Sequence, residues 1–403
     1  MTTEYRMGRI GDEDTFLKLD KATKICQAKF SEYISDVKLE DGEEAIDRAQ
    51  EIGYPVMLKA SAGGGGKGLR VASNIEECRE GFERARNEAM ASFSDPRILI
   101  EKYIVRPRHI EIQVIGDKHG NSVYLGEREC SIQRRHQKVL EETPSLELTD
   151  RVRERMGKLV AKAARAVGYV NAGTFEFLLD PRGRFYFMEA NARIQVEHPI
   201  TEMVTGIDLV QWQIRIARGE PLTVDPARAL TAVGHAIECR VYAEDPDAGF
   251  LPAPGRITAL RGPSGPGVRD DSGVEAGFDV PVFYDSMISK VSTWAPDRAG
   301  AIARMRSALH EYQIGGITTV IPALLWVLAQ DRFRDGAFDT SFLDGELAAR
   351  AGESFSDLTA EQTDLAVIAA ALSAYLSVPQ ATAAVAVGAT SWRQAARLEG
   401  VGQ

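Results

Sequence analysis

Apolar and polar positions along the chain recur with two spacings, and each spacing predicts a different kind of element. Tyr54 to Leu58 is an unbroken apolar run, read as a strand. Gly63 to Gly66 and Gly68 follow, and Leu69-Arg-Val71 restarts a strand, so the stretch reads as a hairpin. Ile98 to Ile104 predicts another short strand, and Arg108 to Val114 alternates polar and apolar as a half-buried strand does. Thr149 to Gly168 has the spacing of an amphipathic helix, with an Asp/Arg-rich start and a glycine stop. Gly173 to Leu179 predicts a strand with Glu176 on its polar face, and Asp180-Pro-Arg-Gly183 is a turn. The apolar Phe185 to Met188 leads into Glu189, Asn191, Arg193, Gln195 and Glu197, polar at alternate positions. A single strand running into a tight loop would carry all five on one face: two carboxylates, one guanidinium and two amides. Leu358 to Val387, rich in Ala and Leu, again has helical spacing.

These elements place chemistry. Glycines let backbone amides approach a phosphate closely, and Lys59 at the preceding strand end adds a point charge. The segment is not a P-loop, which needs Gly-Lys-Ser/Thr and then a helix. No helix opens directly after the glycines, which excludes the dinucleotide fingerprint. A movable flap over a nucleotide and a plain hairpin tip are the two readings. Glu101, Lys102 and Ile104 lie at a strand end suited to an adenine slot. A hairpin through the turn at 180–183 is expected to bring Glu176 and Glu189 side by side, and two carboxylates repel unless a divalent cation lies between them. Hard oxygen ligands beside nucleotide phosphates predict magnesium.

Charge sharpens this picture. The net charge is −10, yet Arg128, Arg134, Arg135, Lys138 and His136 crowd one stretch. Such a cluster repels itself unless anions bind. It is too short and too poor in aromatics for nucleic acid, so small oxyanions such as phosphate or bicarbonate fit better; a surface basic loop is the alternative.

The motifs KASAGGGGKG, EKYI, PRHIEIQV, ERECSIQRRHQKV, GTFEFL, FMEANARIQVEHPITE, GHAIECRVYAEDP and FYDSMISKV occur in this order. With them the chain resembles the biotin carboxylase domain of biotin-dependent acyl-CoA carboxylases, from about Asp41 to about Gly345. The resemblance implies an α+β, ATP-grasp fold with a glycine-rich lid, then a biotin carboxylase C-terminal domain and a helical tail. It implies that ATP, bicarbonate and biotin on a carrier give ADP, phosphate and carboxybiotin, as the first half-reaction of an acyl-CoA carboxylase. Glu197 is then the base for bicarbonate, Arg193 and Lys138 hold bicarbonate and developing charge, and Arg240 holds the biotin ureido oxygen. Lys59, Gly65 and Gly66 contact phosphates, while Glu101, Lys102 and Ile104 frame adenine. His109, Gln133 and His136 complete the nucleotide site, and Gln195 and Val196 line the bicarbonate pocket. Glu176, Glu189 and Asn191 bind Mg2+ or Mn2+.

The expected domains are a divergent remnant of the family's front domain (1–40), the ATP-grasp domain (41–230, lid about 41–103), the C-terminal domain (231–345) and the tail (346–403). Residues 1–40 are too short for the family's front domain. Glu13 in Ile10-Gly-Asp-Glu13 stands where the family has a nucleotide-contacting lysine, with Lys18 or Lys21 as substitutes. A truncated subunit with a structural or assembly role is therefore a second reading. The tail, with Ser391 to Arg397, is a packing helix or the start of a linking domain. The biotin-bearing Met-Lys-Met motif is absent, which implies a carrier on another chain, a separate carboxyltransferase and, by resemblance, a homodimer. No apolar run reaches the roughly 20 residues that span a bilayer, and no signal peptide opens the chain. Four scattered cysteines (26, 78, 130, 239) lack metal-ligand spacing, which points to a reduced cytoplasmic setting, with Cys130 as a buried neutral thiol.

Overall fold

The structure, a computed structural model, describes residues 41–61, 69–225, 231–355 and 360–377. Residues up to Glu353 and those from Ser354 onward form two compact units. The expectations for Gly65, Gly66, residues 1–40 and Ser391 to Arg397 fall outside the described residues.

Helix α1 (Gly42–Ile52) starts where the Asp41 carboxylate accepts the Glu43 amide at 2.8 Å. Strands β1 (Val56–Ala60) and β2 (Arg70–Ala72) pair antiparallel, as the hairpin reading expects. Helix α2 (Ile75–Phe93), capped by Asn74, leads to β3 (Ile98–Lys102) on the other side of β1. Val56, Leu58, Ile98 and Ile100 pack under Ala45, Ala49, Phe82 and Ala85 of the two helices. The period of two then sends Lys59 and Glu101 to the opposite face of this small sheet.

The main sheet has eight antiparallel strands. They are β4 (Arg108–Gly116), β5 (Ser122–Arg134), β6 (Gln137–Thr143), β7 (Asn171–Leu179), β8 (Phe185–Asn191), β9 (His235–Tyr242), β14 (Val268–Ser272) and β16 (Met287–Ala295). Their order is β14-β16-β9-β6-β5-β4-β7-β8. Pairing of β6 with β9 carries the sheet across residue 231 without a break. Three short ladders join β10 (Glu244–Asp245) to β11 (Leu251–Pro252), β12 (Gly255–Arg256) to β15 (Asp279–Val280), and β13 (Ala259–Arg261) to β17 (Gln313–Gly315).

Helix α3 (Asp150–Ala166), capped by Thr149, lays Met156, Val160, Ala163 and Ala164 on Ile110, Ile112 and Val114 of β4. Helices α4 (His198–Thr205) and α5 (Leu209–Ala217) follow the loop after β8. Helix α6 (Arg298–Glu311) covers β9 and β16, and α7 (Ile321–Ala329), α8 (Asp331–Arg334) and α9 (Phe342–Ala349) extend that core. In the second unit, α10 (Ala360–Ser377) exposes Leu365, Ile368, Leu372 and Tyr375. The fold is α+β, as expected.

Two local expectations are corrected. Arg108 to Val114 is not half-buried: every residue of β4 is buried. Its apolar face meets α3, and its polar face is covered by charged partners described below. The strand expected to run to Glu197 ends at Asn191, so Arg193, Gln195 and Glu197 lie on the loop that turns into α4.

Candidate active site

The β7–β8 turn fixes the first part of the site. The Asp180 carboxylate accepts the Arg182 and Arg184 amides, each at 2.9 Å, and Gly183 supplies φ 74°. Phe175, Phe177, Phe185 and Phe187 anchor the hairpin in the core, with the Phe177 ring 5.7 Å from both Phe185 and Phe187. Burying each such ring contributes about 2–3 kcal/mol. Period two alone would put Glu189 on the same side as Phe185 and Phe187. A bulge intervenes: Phe177 pairs with Phe187, but Glu176 pairs with Glu189. The extra residue, Met188, is exposed, and Glu189 turns to the Glu176 side.

The Asn191 amide nitrogen donates to Glu176 Oε1 at 2.8 Å and to Glu189 Oε1 at 3.2 Å. An N–H donor thus sits between two carboxylates. All the expected ligand atoms are oxygens of Glu176, Glu189 and Asn191, the donor set of a hard divalent cation. Burial would push the Glu176 carboxyl up, but His109, Lys138 and Gln195 hold it well below the usual range, ionised and ready for a cation.

The polar face of β4 supplies the second part. Arg128, with no exposed surface, bonds Glu111 at 3.0 Å, Gln113 at 2.7 Å, Thr201 at 3.1 Å, Thr174 at 3.2 Å and Gln195 at 3.0 Å. Its fork joins two strands, the loop and α4. Gln195 Oε1 faces Arg128, so its amide nitrogen donates to Glu176 at 2.7 Å. The Lys138 ammonium touches Glu111, Glu197 at 2.8 Å and Glu176 at 3.2 Å. Burial would lower its proton affinity, yet Glu197 and Glu176 raise it, so Lys138 is a firm cation. Arg240 Nη2 lies 3.0 Å from Glu197 Oε2, while Arg240 Nε donates to Glu141 at 2.7 Å. Burial would lift the Glu197 carboxyl, but Lys138, Arg240 and Arg128 hold it well below the carboxylate range.

The remaining expected residues are distributed unevenly. Gln133 donates to the Cys130 carbonyl and to His109 Nδ1, both at 2.8 Å, which assigns the imidazole proton to Nε2, 3.0 Å from Glu176. His109 and Gln133 therefore form a buried wall behind Glu176. Val196 accepts Lys290 at 2.5 Å through its carbonyl. Lys59 pairs with Glu101 at 2.5 Å on the outer face of the small sheet, and Ile104 is half-buried just past β3. The Lys102 ammonium turns away, donating to the Gly53 and Tyr54 carbonyls at 2.6 and 2.9 Å, so only its main chain is left for a ligand. Arg193 is exposed, and among the described residues it reaches Asn191, at 3.4 Å, and the Ile194 carbonyl. His136 sits with Arg135 on the exposed β5–β6 tip, φ 65° and 49°, apart from the buried network.

The basic cluster divides into buried or half-buried, paired members and an exposed tip. Arg128 is saturated by side chains of its own chain, and Arg134 pairs with Glu244 at 2.7 Å over the Phe250 ring. Carboxylates brought from other strands offset the charge of Arg128, Arg134 and Lys138. Sequence reasoning missed Glu111 and Glu141 entirely. The alternation of His109, Glu111 and Gln113 was a usable signal for the first; nothing local signalled the second.

A helix-backed lid sheet beside cross-strand carboxylates and buried cations defines a nucleotide-dependent ligase fold of the ATP-grasp class. Family profiles agree: "Carbamoyl-phosphate synthase L chain, ATP binding domain" matches residues 19–225 and "Biotin carboxylase C-terminal domain" matches 238–345. The chain belongs to the biotin carboxylase family. It is 49% identical over 356 residues to the propionyl-CoA carboxylase alpha chain of Ruegeria pomeroyi, covering 83% of this chain and 52% of that one. It is 52% identical over 309 residues to the biotin carboxylase of Nostoc sp., covering 77% of this chain and 69% of that one. Among solved structures, the biotin carboxylase domain dimer of Hydrogenobacter thermophilus 2-oxoglutarate carboxylase, in complex with MgADP, ADP and bicarbonate, is 48% identical with a TM-score of 0.78. That match covers 85% of this chain and 76% of the other. The chain spans about half the length of the Ruegeria relative.

Proposed function

We propose that this chain carboxylates biotin on a carrier protein, using ATP and bicarbonate, by way of carboxyphosphate. The observation that carries this reading is Glu197, held between Lys138 at 2.8 Å and Arg240 at 3.0 Å. A carboxylate so stabilised is a weak base. Bicarbonate, itself an anion, competes for the same two cations when it enters. Drawing Lys138 and Arg240 onto the substrate raises the proton affinity of Glu197, so the substrate switches on its own base.

Deprotonated bicarbonate then attacks the γ-phosphorus of ATP, forming the C–O–P bond of carboxyphosphate and releasing ADP. Carboxyphosphate splits into CO2 and phosphate. The phosphate takes the proton from the biotin ureido nitrogen, which attacks CO2 while Arg240 holds the ureido oxygen as it gains charge. Lys59, Gly65 and Gly66 hold nucleotide phosphates, Glu101, the Lys102 main chain and Ile104 frame adenine, and His109 with Gln133 backs the metal carboxylates. Arg193, exposed beside Asn191, would hold bicarbonate, His136 would complete the nucleotide site, and Gln195 and Val196 would line the bicarbonate pocket. Glu176, Glu189 and Asn191 would hold Mg2+ or Mn2+, which would neutralise phosphate charge.

The partners that fit this reading are a biotin carrier, a carboxyltransferase and a second copy of the chain. A cytosolic setting is supported by three free, buried cysteines, Cys78, Cys130 and Cys239. Among the described residues no helix is long and apolar enough to cross a membrane. The test is ADP release with MgATP, with and without bicarbonate and free biotin. A bicarbonate-dependent rate that rises with biotin is expected. Nucleotide binding with no such rate would overturn the reading in favour of a non-catalytic subunit.

A further inference from the structure

Glu141 on β6 and Glu238 on β9 are register partners in the ladder, and neither has exposed surface. Partners in an antiparallel ladder project from the same face. Each carboxyl has one engaged oxygen. Glu141 Oε1 accepts Arg240 Nε at 2.7 Å and lies 2.5 Å from Nη2. Glu238 Oε2 accepts the Ser292 hydroxyl at 2.8 Å. The other oxygens, Glu141 Oε2 and Glu238 Oε1, are buried with no hydrogen-bond partner among the described residues.

The cations on this face are committed elsewhere. Arg240 serves Glu141 and Glu197, and Lys138 serves Glu111, Glu176 and Glu197. Lys290, across the ladder from Arg240, gives its ammonium to the Val196 carbonyl and lies 3.6 Å from Asp271. Glu141 has Arg240, but among the described residues no cation touches Glu238, and two adjacent buried carboxylates with one such partner between them do not both ionise at neutral pH. One proton removes both difficulties. Placed on Glu238 Oε1, it gives Glu238 a donor and Glu141 Oε2 an acceptor role. It belongs on Glu238 because Arg240 favours the charged form of Glu141. Burial lifts both carboxyls, and Glu238 further because the charge of Glu141 adds to it.

We propose that Glu141 is the positioning residue that sets the plane of the Arg240 guanidinium, and that Glu238 is its neutral, proton-donating partner. The effect on biotin rests on the functional reading above. The acid pair does not.

The experiment compares Glu141→Gln with Glu238→Gln in the full chain. Wild type is measured first for bicarbonate-dependent ADP release and its rise with free biotin; no rise would overturn the functional reading, and the infrared arm below would still decide the acid pair. Glu238→Gln replaces a neutral acid by a neutral amide that still donates toward Glu141, so the KM for biotin stays within about threefold of wild type. Glu141→Gln loses the anionic grip, and the KM for biotin rises at least roughly tenfold, more than the KM for ATP. If Glu141→Gln does not fold, Glu141→Asp, which keeps the charge but withdraws it by one methylene, shows the same selective loss. Difference infrared spectroscopy reads the proton directly: wild type shows the carbonyl stretch of a buried protonated carboxylic acid, and Glu238→Gln lacks it. Equal losses in the two Gln variants would overturn the positioning role, and absence of that stretch from wild type would overturn the shared proton.

Discussion

Charged pairs on the two sheets differ in kind. On the main sheet, Arg128 and Glu111 are both 0% exposed, and Lys138 and Glu197 are 13% and 2% exposed. On the lid sheet, Lys59 and Glu101 are 33% and 26% exposed although they lie only 2.5 Å apart. The first set is locked by many partners and excluded from water, so each member fixes the others. The second is a single screened pair that a ligand can displace at small cost. Under the proposed carboxylation, a site that orients bicarbonate and biotin while admitting a large nucleotide needs both: a rigid floor and a yielding roof.

Breaking the floor at its reactive point has the largest effect. Glu197→Gln is expected to lower turnover about a thousandfold while MgATP binding, read by calorimetry, persists. Lost nucleotide binding would show instead that Glu197 is structural. Next is Arg128→Met, which strands Glu111 without its guanidinium in the interior. A loss of about 3–5 kcal/mol in urea unfolding is expected, and a change under about 1 kcal/mol would show that the floor is not locked.

The far end of β4 supplies a control in which no cation takes part. Asp117 is buried, which would raise its carboxyl, but bonds from the Leu222 amide, Asn121 and the His119 amide hold it down to about 2. A depressed carboxyl contributes stability above its unfolded value of about 4, and that contribution is lost as pH falls through the folded value. Asp117→Asn should therefore flatten acid unfolding between about pH 4 and 2, by about 2 kcal/mol at most, and leave the neutral-to-alkaline slope as in wild type. The smallest effect on stability belongs to the roof. Lys59→Met is expected to change it by less than about 1 kcal/mol while weakening MgADP binding. A larger loss of stability than of affinity would erase the contrast between the two sheets.

Much of the local structure was legible. The glycine-interrupted hairpin joins neighbouring strands, the Thr149-capped helix and the turn at Asp180 to Gly183 rest on contacts only a few residues apart, and turn chemistry set the hairpin that carries Glu176 and Glu189. The charged cluster was legible as composition but not as structure. Arg128 and Arg135 read alike in the sequence, yet one is fully enclosed in the floor and the other lies on an exposed tip.

By itself the sequence determined the element types, the turns and the family motifs, because periodicity and glycine chemistry act between near neighbours. Only the tertiary structure decided which charges meet. Lys138 finds Glu111, Glu176 and Glu197 because β4 and β7 lie on the β5 side of β6; Arg240 finds Glu141, 99 residues away, because β6 and β9 pair in one register. It also decided the bulge at Met188, a single unpaired residue that turns Glu189 from the core side to its partner. A slip of one residue reverses every side chain beyond it, and packing across strands selects that slip.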